Sequence, residues 1–172
     1  MQATQTPPTQ KIDPKLIVPF VNAVRSVFST MVGVQTTVQR PHLKIQPCPT
    51  YDVSSIIGFS GDLTGCVVVS FQKDAAIKLV SAFAGNPIDP NSPDFADAVG
   101  ELANMIAGNA KKYLGNCASI TVPSVIIGTG HTIARLSGVP CIVIPCTTPV
   151  GDFAVEVNVK QLKTPASASL RV

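Results

Sequence analysis

The chain has 172 residues, of which 45% are hydrophobic and 13% are charged, and its formal net charge is +3. This length predicts a single domain with a substantial hydrophobic core. The small net charge, the scattered Lys and Arg residues and the lack of Trp exclude the usual pattern of a nucleic-acid-binding protein, so no nucleic-acid partner is expected.

The cysteines and apolar runs favour a cytoplasmic protein. There are five cysteines, an odd number without a CxxC pair, and "MQATQTPPTQ" lacks the apolar run of a signal peptide. Reduced thiols are therefore expected, with Cys66 and Cys141 as small core residues. No metal site is expected, because His42 and His131 show no ligand spacing. No apolar run is long enough to predict a membrane span.

The first half of the chain predicts one helix followed by three strands. Residues 1–12 are polar and rich in Pro, Thr and Gln, which predicts a disordered segment. Asp13 is a suitable cap for a helix that begins at Pro14 and ends at Gly33. Its apolar positions recur at helical spacing: Ile17, Phe20, Val21, Val24, Val27, Phe28 and Met31. Strands are expected at about 35–46, 52–60 and 64–72, with a hairpin turn at "SGDLTG".

The second half predicts two helices and then three strands. "KDAAIKLVSAFAG" is typical of a short helix that ends at Gly85, and the loop "NPIDPNSP" separates it from a long helix. Asp94 is expected to cap the long helix and Gly115 to end it. The last third is strand-rich up to about residue 162, and 163–172 is expected to be a flexible tail. This order indicates an α+β fold, with an antiparallel sheet and helices on one side.

The long helix contains "DAVGELANMIAGNAKKYL", residues 97–114, whose polar residues form one stripe. At about 100° per residue, Asp97, Glu101, Asn104 and Gly108 share one face. The opposite face is expected to meet the core, and it carries Phe95, Val99, Leu102, Ile106, Ala110 and Tyr113.

Small residues surround Asn104 on this helix. The side chains beside it are too small to project from the helix surface, since they belong to Gly100, Ala107 and Gly108. Each mid-helix glycine also lowers helix stability by about 1 kcal/mol relative to alanine. We therefore interpret the stripe as a contact surface for another protein. The alternative is that Asp97 and Glu101 are ordinary solvated residues, that Asn104 has no special role, and that Gly108 serves helix packing. Lys111 and Lys112 suit the helix dipole and, alternatively, border the contact surface.

This helix resembles the signature helix of the CheC/CheX/FliY family of chemotaxis phosphatases. The family motif is Asp or Ser, three residues, Glu, two residues, Asn, and a later Pro, matched here by Asp97, Glu101, Asn104 and Pro123. "GELANMIAGN" is especially similar to the CheX branch, and a single Glu–Asn helix also favours CheX over CheC. The resemblance covers about 13–161, although the gap before Pro123 is a few residues shorter than in the family.

The resemblance implies a CheC-like fold of one helix, three strands, two helices and three strands, with a CheX-like phosphatase domain over 13–162. It also implies hydrolysis of the phosphoryl-aspartate of a CheY-like response regulator. Asn104 would position the attacking water, and Glu101 would engage the receiver domain. Asp97, Gly100, Ala107 and Gly108 would border or contact the partner.

The expected assembly is a homodimer acting on a phosphorylated receiver domain in the cytoplasm. The protein would need no cofactor of its own, because the receiver would supply Mg²⁺. The alternative is a non-catalytic CheC-fold module that binds a receiver or a motor-switch protein. "GTGHT", residues 128–132, lacks the spacing of a phosphate-binding loop and is expected to be a turn.

Overall fold

The computed structural model describes residues 13–45, 51–114 and 118–162. The expected disorder of 1–12 and 163–172, and the end of the long helix at Gly115, fall outside these ranges and stay predictions. The elements in chain order are α1 (Pro14–Val27) with a π-helical turn (Phe28–Val32), β1 (Thr37–Val38), β2 (His42–Leu43), β3 (Val53–Gly61), β4 (Leu63–Phe71), α2 (Lys73–Ala84), α3 (Pro93–Tyr113), β5 (Ala118–Ile120), β6 (Ser124–Ile127), β7 (Ile142–Thr148) and β8 (Gly151–Gln161).

The first helix begins and ends where the sequence predicts. The Asp13 side chain accepts a hydrogen bond from the Lys15 N–H at 2.9 Å, and Gly33 ends the helix with φ of 70°. The Gly33 N–H donates to the Phe28 carbonyl, five residues earlier, which closes the π-helical turn. This wider turn changes the helical phase. Met31, one of the apolar positions at helical spacing, is therefore 47% exposed, and its neighbour Val32 is buried.

The segment Pro14–Val32 is long and apolar enough to cross a membrane by length and composition alone. In the folded chain, however, apolar side chains of this segment are buried in the hydrophobic core. Phe20, Ala23 and Val24 have no exposed surface and belong to the main hydrophobic cluster. Packing against α3 and the sheet therefore accounts for the apolar composition of this helix.

The strands form one antiparallel sheet with the order β1-β7-β8-β4-β3-β5. The predicted strands at 52–60 and 64–72 are confirmed as β3 and β4. The one predicted at 35–46 is shortened to β1 and β2, which both pair with β7. Pro41 lies between them and cannot donate to a ladder. On the opposite edge, β5 and β6 both pair with β3, so the predicted last three strands are four.

The three helices cover one face of this sheet, and the predicted α+β fold class is confirmed. The buried cluster that joins the layers combines residues of α1, α2 and α3 with the helix-facing positions of β3, β4, β7 and β8. Phe153 on β8 stacks between Phe28 and Phe71, with ring centroids 4.5 and 5.5 Å away. These contacts fix α1 against the centre of the sheet.

The other face of the sheet carries buried polar residues under the loop at 128–141. Glu156 on β8 is 4% exposed and forms ion pairs with Lys44 at 2.6 Å and Arg135 at 2.5 Å. Burial has the largest single effect on the pKa of Arg135 and lowers it, but the hydrogen bond to Glu156 and the nearby charges of Cys141, Glu156 and Cys66 together raise the pKa above its ordinary value. Asn158 accepts from the Leu136 N–H at 2.8 Å. These bonds hold the loop on the sheet.

The same loop contains the predicted turn "GTGHT", which is confirmed as non-helical and non-strand structure. His131 within it makes a 2.8 Å hydrogen bond with Ser54 on β3. Burial raises the pKa of Cys141 to about 11 and that of Cys146 to about 12, which keeps both as thiols at neutral pH. Cys141 is buried as expected, whereas Cys66 is only half-buried.

Candidate active site

Helix α3 carries the predicted site residues and starts two residues earlier than expected. Its N-cap is Ser92, and Pro93 occupies the first turn. The prediction that Asp94 caps the helix is wrong. Proline at the first helical position has a preset backbone angle and no N–H to satisfy, so the helix can begin before Asp94. Asp94 lies in the first turn, where a carboxylate favours the helix dipole.

The division of α3 into two faces is confirmed except at its end. Tyr113, assigned to the core face, is 58% exposed, whereas the next residue, Leu114, packs against the core. The other predicted core positions are buried with at most 1% exposure: Phe95, Val99, Leu102, Ile106 and Ala110.

The polar stripe lies on the opposite side. Asp97 and Glu101 are exposed, and Asn104 is half-buried. The Asn104 Nδ2 donates to Glu101 Oε2 at 3.4 Å, a long hydrogen bond between neighbours three residues apart. This contact orients the carboxamide and uses one of its two N–H groups. The second N–H and Oδ1 face away from this bond, so Asn104 can both donate to and accept from a partner.

Gly100 has a role inside the molecule that the sequence did not reveal. It is buried, and a Cβ placed on it would lie 3.1 Å from Pro123 Cγ and 3.5 Å from Val125 Cγ2. Pro123 is the proline of the family motif, and it lies between β5 and β6. The glycine therefore lets the sheet edge approach α3 beside Glu101. This contact is intramolecular, and the partner contact expected of Gly100 stays a prediction.

Ala107 and Gly108, the other two small neighbours of Asn104, differ from each other in their surroundings. Ala107 has no exposed surface and packs in the hydrophobic cluster, so it cannot lie under a docked partner as expected. A Cβ on Gly108 would meet nothing within 4 Å. Gly108 therefore leaves open space beside Asn104 on the outer side. Its smallness has no packing explanation among the described residues.

A cavity of about 290 Å³ opens beside the stripe. It is lined by the buried Gly100, by the half-buried Ala96, Pro123 and Val125, and by the exposed Asp97 and Glu101. We call the buried and half-buried part the floor and the two exposed carboxylates the rim. Within 13–45, 51–114 and 118–162, no group of three His, Cys, Asp or Glu side chains could hold a metal ion.

The same substitution at the two glycines should have opposite effects on stability. Gly100→Gln is expected to lower the free energy of unfolding by about 1–3 kcal/mol, because the new side chain must displace Pro123. Gly108→Gln is expected to raise it by up to about 1 kcal/mol, since glutamine favours helix and has space there. Urea titrations of both variants measure this. Equal stability of the two variants would contradict the close contact with Pro123.

Comparisons with known proteins identify the family of the chain. The family model described as "Chemotaxis phosphatase CheX" matches residues 53–147, which include β3 to most of β7 and the whole of α3. The curated CheY-P phosphatase CheX of Thermotoga maritima is 27% identical over 125 residues, covering 68% of this chain and 78% of the relative.

Solved structures extend the similarity. The crystal structure of CheX from Desulfovibrio desulfuricans is 38% identical, with a TM-score of 0.78, covering 86% of this chain and 99% of that one. A CheX–CheY–BeF₃–Mg²⁺ complex from Borrelia burgdorferi matches with 25% identity and a TM-score of 0.71, over 88% of this chain and 100% of the matched one. The fold, the motif helix and these matches together show that the chain belongs to the CheX family of chemotaxis phosphatases.

Proposed function

We propose that this protein hydrolyses the phosphoryl-aspartate of a CheY-like receiver domain. The observation that carries the proposal is the pair Glu101 and Asn104 on the outer face of α3, hydrogen-bonded to each other and flanked by open space at Gly108. Membership of the CheX family supports phosphatase activity, and the CheX–CheY complex from Borrelia burgdorferi supports a receiver as the partner.

Asn104 would act by positioning water. Hydrolysis of a phosphoryl group passes through a loose transition state, so alignment and charge stabilisation matter more than a strong base. The carboxamide Oδ1 can accept from the attacking water while an Nδ2 hydrogen donates to a phosphoryl oxygen. Because α3 is packed along its length, the side chain is presented from a rigid element. Asn104 thus holds the water in line with the bond that breaks.

Glu101 would hold Asn104 and engage the receiver. Its Oε2 accepts from Asn104, which leaves Oε1 of the exposed carboxylate for a cation on the partner. Mg²⁺ would be supplied by the receiver domain, as the family resemblance implies. The nearby carboxylates of this chain, Asp97 and Glu101, are exposed. They suit docking contacts with the receiver better than coordination of a metal ion by this chain alone.

A long side chain at Gly108 should obstruct docking without harming the fold. Gly108→Gln is expected to reduce the phosphatase rate at low receiver concentration by about tenfold or more, because its side chain would stand beside Asn104 where the structure leaves space. The decay of phosphorylated receiver measures the rate. Gly108→Ala is the matched control, with little protrusion. Full activity of the glutamine variant would contradict the steric argument.

The decisive test of the function follows the decay of a phosphorylated CheY-type receiver from the same organism, with and without this protein. Catalytic acceleration at substoichiometric amounts supports the phosphatase. Binding of the receiver without faster decay would instead favour the non-catalytic binding module.

We also propose that the protein is a cytoplasmic homodimer, as its family resemblance implies. The edge formed by β5 and β6 has exposed apolar side chains at Val122 (84%) and Ile127 (50%), which a second copy could cover. Light scattering after size-exclusion chromatography measures the mass in solution.

A further inference from the structure

The outer face of α3 carries opposite charges at its two ends. Asp97 and Glu101 precede Asn104, whereas Lys111 and Lys112 follow Gly108. At 1.5 Å per residue, the distance along the axis from Asp97 to Lys112 is about 22 Å. The helical repeat places the two lysines on either side of the stripe that contains Asn104. The water-positioning residue therefore lies between an acidic and a basic end.

Helix stability does not explain the acidic end. Asp97 and Glu101 are four residues apart, and like charges at this spacing destabilise a helix by a few tenths of a kcal/mol. The two ion pairs found in the described part of the chain both involve Glu156, so neither carboxylate is neutralised there. The basic end suits the helix dipole, but Lys112 remains exposed and able to contact a partner.

The acidic end has a shape that fits a cationic side chain. The cavity beside α3 has an apolar floor that includes Pro123 and Val125, and its rim carries the two carboxylates. Lysine and arginine combine an aliphatic stem with a charged head, so the stem can cover the floor while the head meets the rim. A neutral or acidic side chain would leave this rim without a counter-charge.

The charge of the substrate favours such a match. A phosphoryl-aspartate is an anion, and two carboxylates within two turns of Asn104 repel it. Positive charge that the receiver brings to the carboxylates reduces this repulsion, in addition to the effect of the Mg²⁺ at the phosphoryl group. At the other end, Lys112 attracts acidic groups on the receiver. A receiver docked in the reverse direction would place like charges together at both ends.

We propose that α3 selects and orients its receiver by a two-ended charge match. A lysine or arginine of the receiver enters the cavity at Asp97, and an acidic patch of the receiver lies against Lys112. This inference rests on the proposed function and specifies how the same site recognises its partner. It assigns Asp97 and Lys112 to docking, separate from the positioning of water by Asn104.

The test uses Asp97→Lys, Lys112→Glu and the double variant, with a CheY-type receiver from the same organism phosphorylated by a small phosphodonor. Each single reversal is expected to lower kcat/KM by about tenfold at low ionic strength, mainly through KM, with kcat within about twofold of wild type. Because the sites are far apart, the double variant should lose about a hundredfold. The wild-type kcat/KM should fall with added salt more steeply than that of the variants.

The control makes the same two charge reversals on another helix, Asp74→Lys with Lys78→Glu on α2, where both residues are exposed. It should leave kcat/KM near the wild-type value. An active wild type with unchanged kcat/KM in both single variants would overturn the charge match and leave the phosphatase proposal standing. A loss confined to kcat would also overturn it, since docking acts on KM. A wild type that does not accelerate decay would overturn the proposed function together with this inference.

Discussion

Asn104→Ala is expected to reduce the rate of receiver dephosphorylation by about 10²–10³-fold, the scale of losing one positioned group at a phosphoryl or acyl transfer site. The side chain is half-buried and exchanges a single long hydrogen bond with Glu101, so its removal should change stability little. The loss should therefore appear in kcat, while the receiver still binds. The measurement is phosphoryl decay at saturating receiver, alongside binding of the receiver in the presence of beryllium fluoride.

Asn109→Ala provides the matched control for this variant. Asn109 is half-buried on the same helix but lies about 140° around the axis from Asn104. It should retain wild-type activity and stability. Asn104→Asp is a second variant of nearly the same shape, and it should also be slow because a carboxylate repels the phosphoryl oxygens. If Asn104→Ala kept activity within twofold of wild type, another group would have to position the water.

The helices were predictable because their periodicity, caps and stops agree. Asp13 and Pro14 at the start of α1, and Gly33 and Gly85 at two helix ends, lie where local rules place them. The exposure of Met31, despite its helical spacing, has a physical cause. A π-helical turn inserts one residue per turn, and an apolar pattern with a period of 3.6 does not show where such a turn occurs. Only the tertiary structure selects Val32 for the core.

The candidate site was predictable in its polar residues and only partly in its small ones. Helical spacing places Asp97, Glu101 and Asn104 on one face without knowledge of the rest of the chain. The reason for a glycine depends on what approaches it, however. Gly100 is explained by Pro123, which lies 23 positions later on the sheet edge, whereas Gly108 faces open space. Long-range contacts of this kind leave no periodic signal in the sequence.

The buried ion-pair cluster on the far side of the sheet was not predicted for a related reason. Lys44, Arg135 and Glu156 belong to three separate segments, and each looks like an ordinary surface residue in its own context. Side chains along β8 point alternately to the two faces of the sheet, and this alternation places Glu156 on the face away from the helices. Its burial arises because the loop at 128–141 covers that face, and loop paths are poorly specified by local sequence.

This cluster should make Glu156→Ala the most destabilising of the substitutions considered. The side chains of Glu156, Lys44 and Arg135 are 5%, 8% and 17% exposed, so solvent cannot replace the lost carboxylate. Two cations would remain close together without a counter-charge. The free energy of unfolding is expected to fall by about 3–5 kcal/mol, as for other buried pairs that lose one partner. Chemical denaturation monitored by circular dichroism measures the change.

Removing all three charges tests whether uncompensated charge is the cause of the stability loss in Glu156→Ala. The triple variant Lys44→Met, Arg135→Met, Glu156→Leu leaves no uncompensated charge and keeps the buried volume, so it should recover most of the stability. If the triple variant were as unstable as Glu156→Ala, the ion pairs would be net stabilising rather than mutually required. Both variants leave α3 on the opposite face of the sheet unchanged. At temperatures where they stay folded, they should therefore dephosphorylate the receiver at the wild-type kcat, which separates the stability of the fold from the chemistry of Asn104.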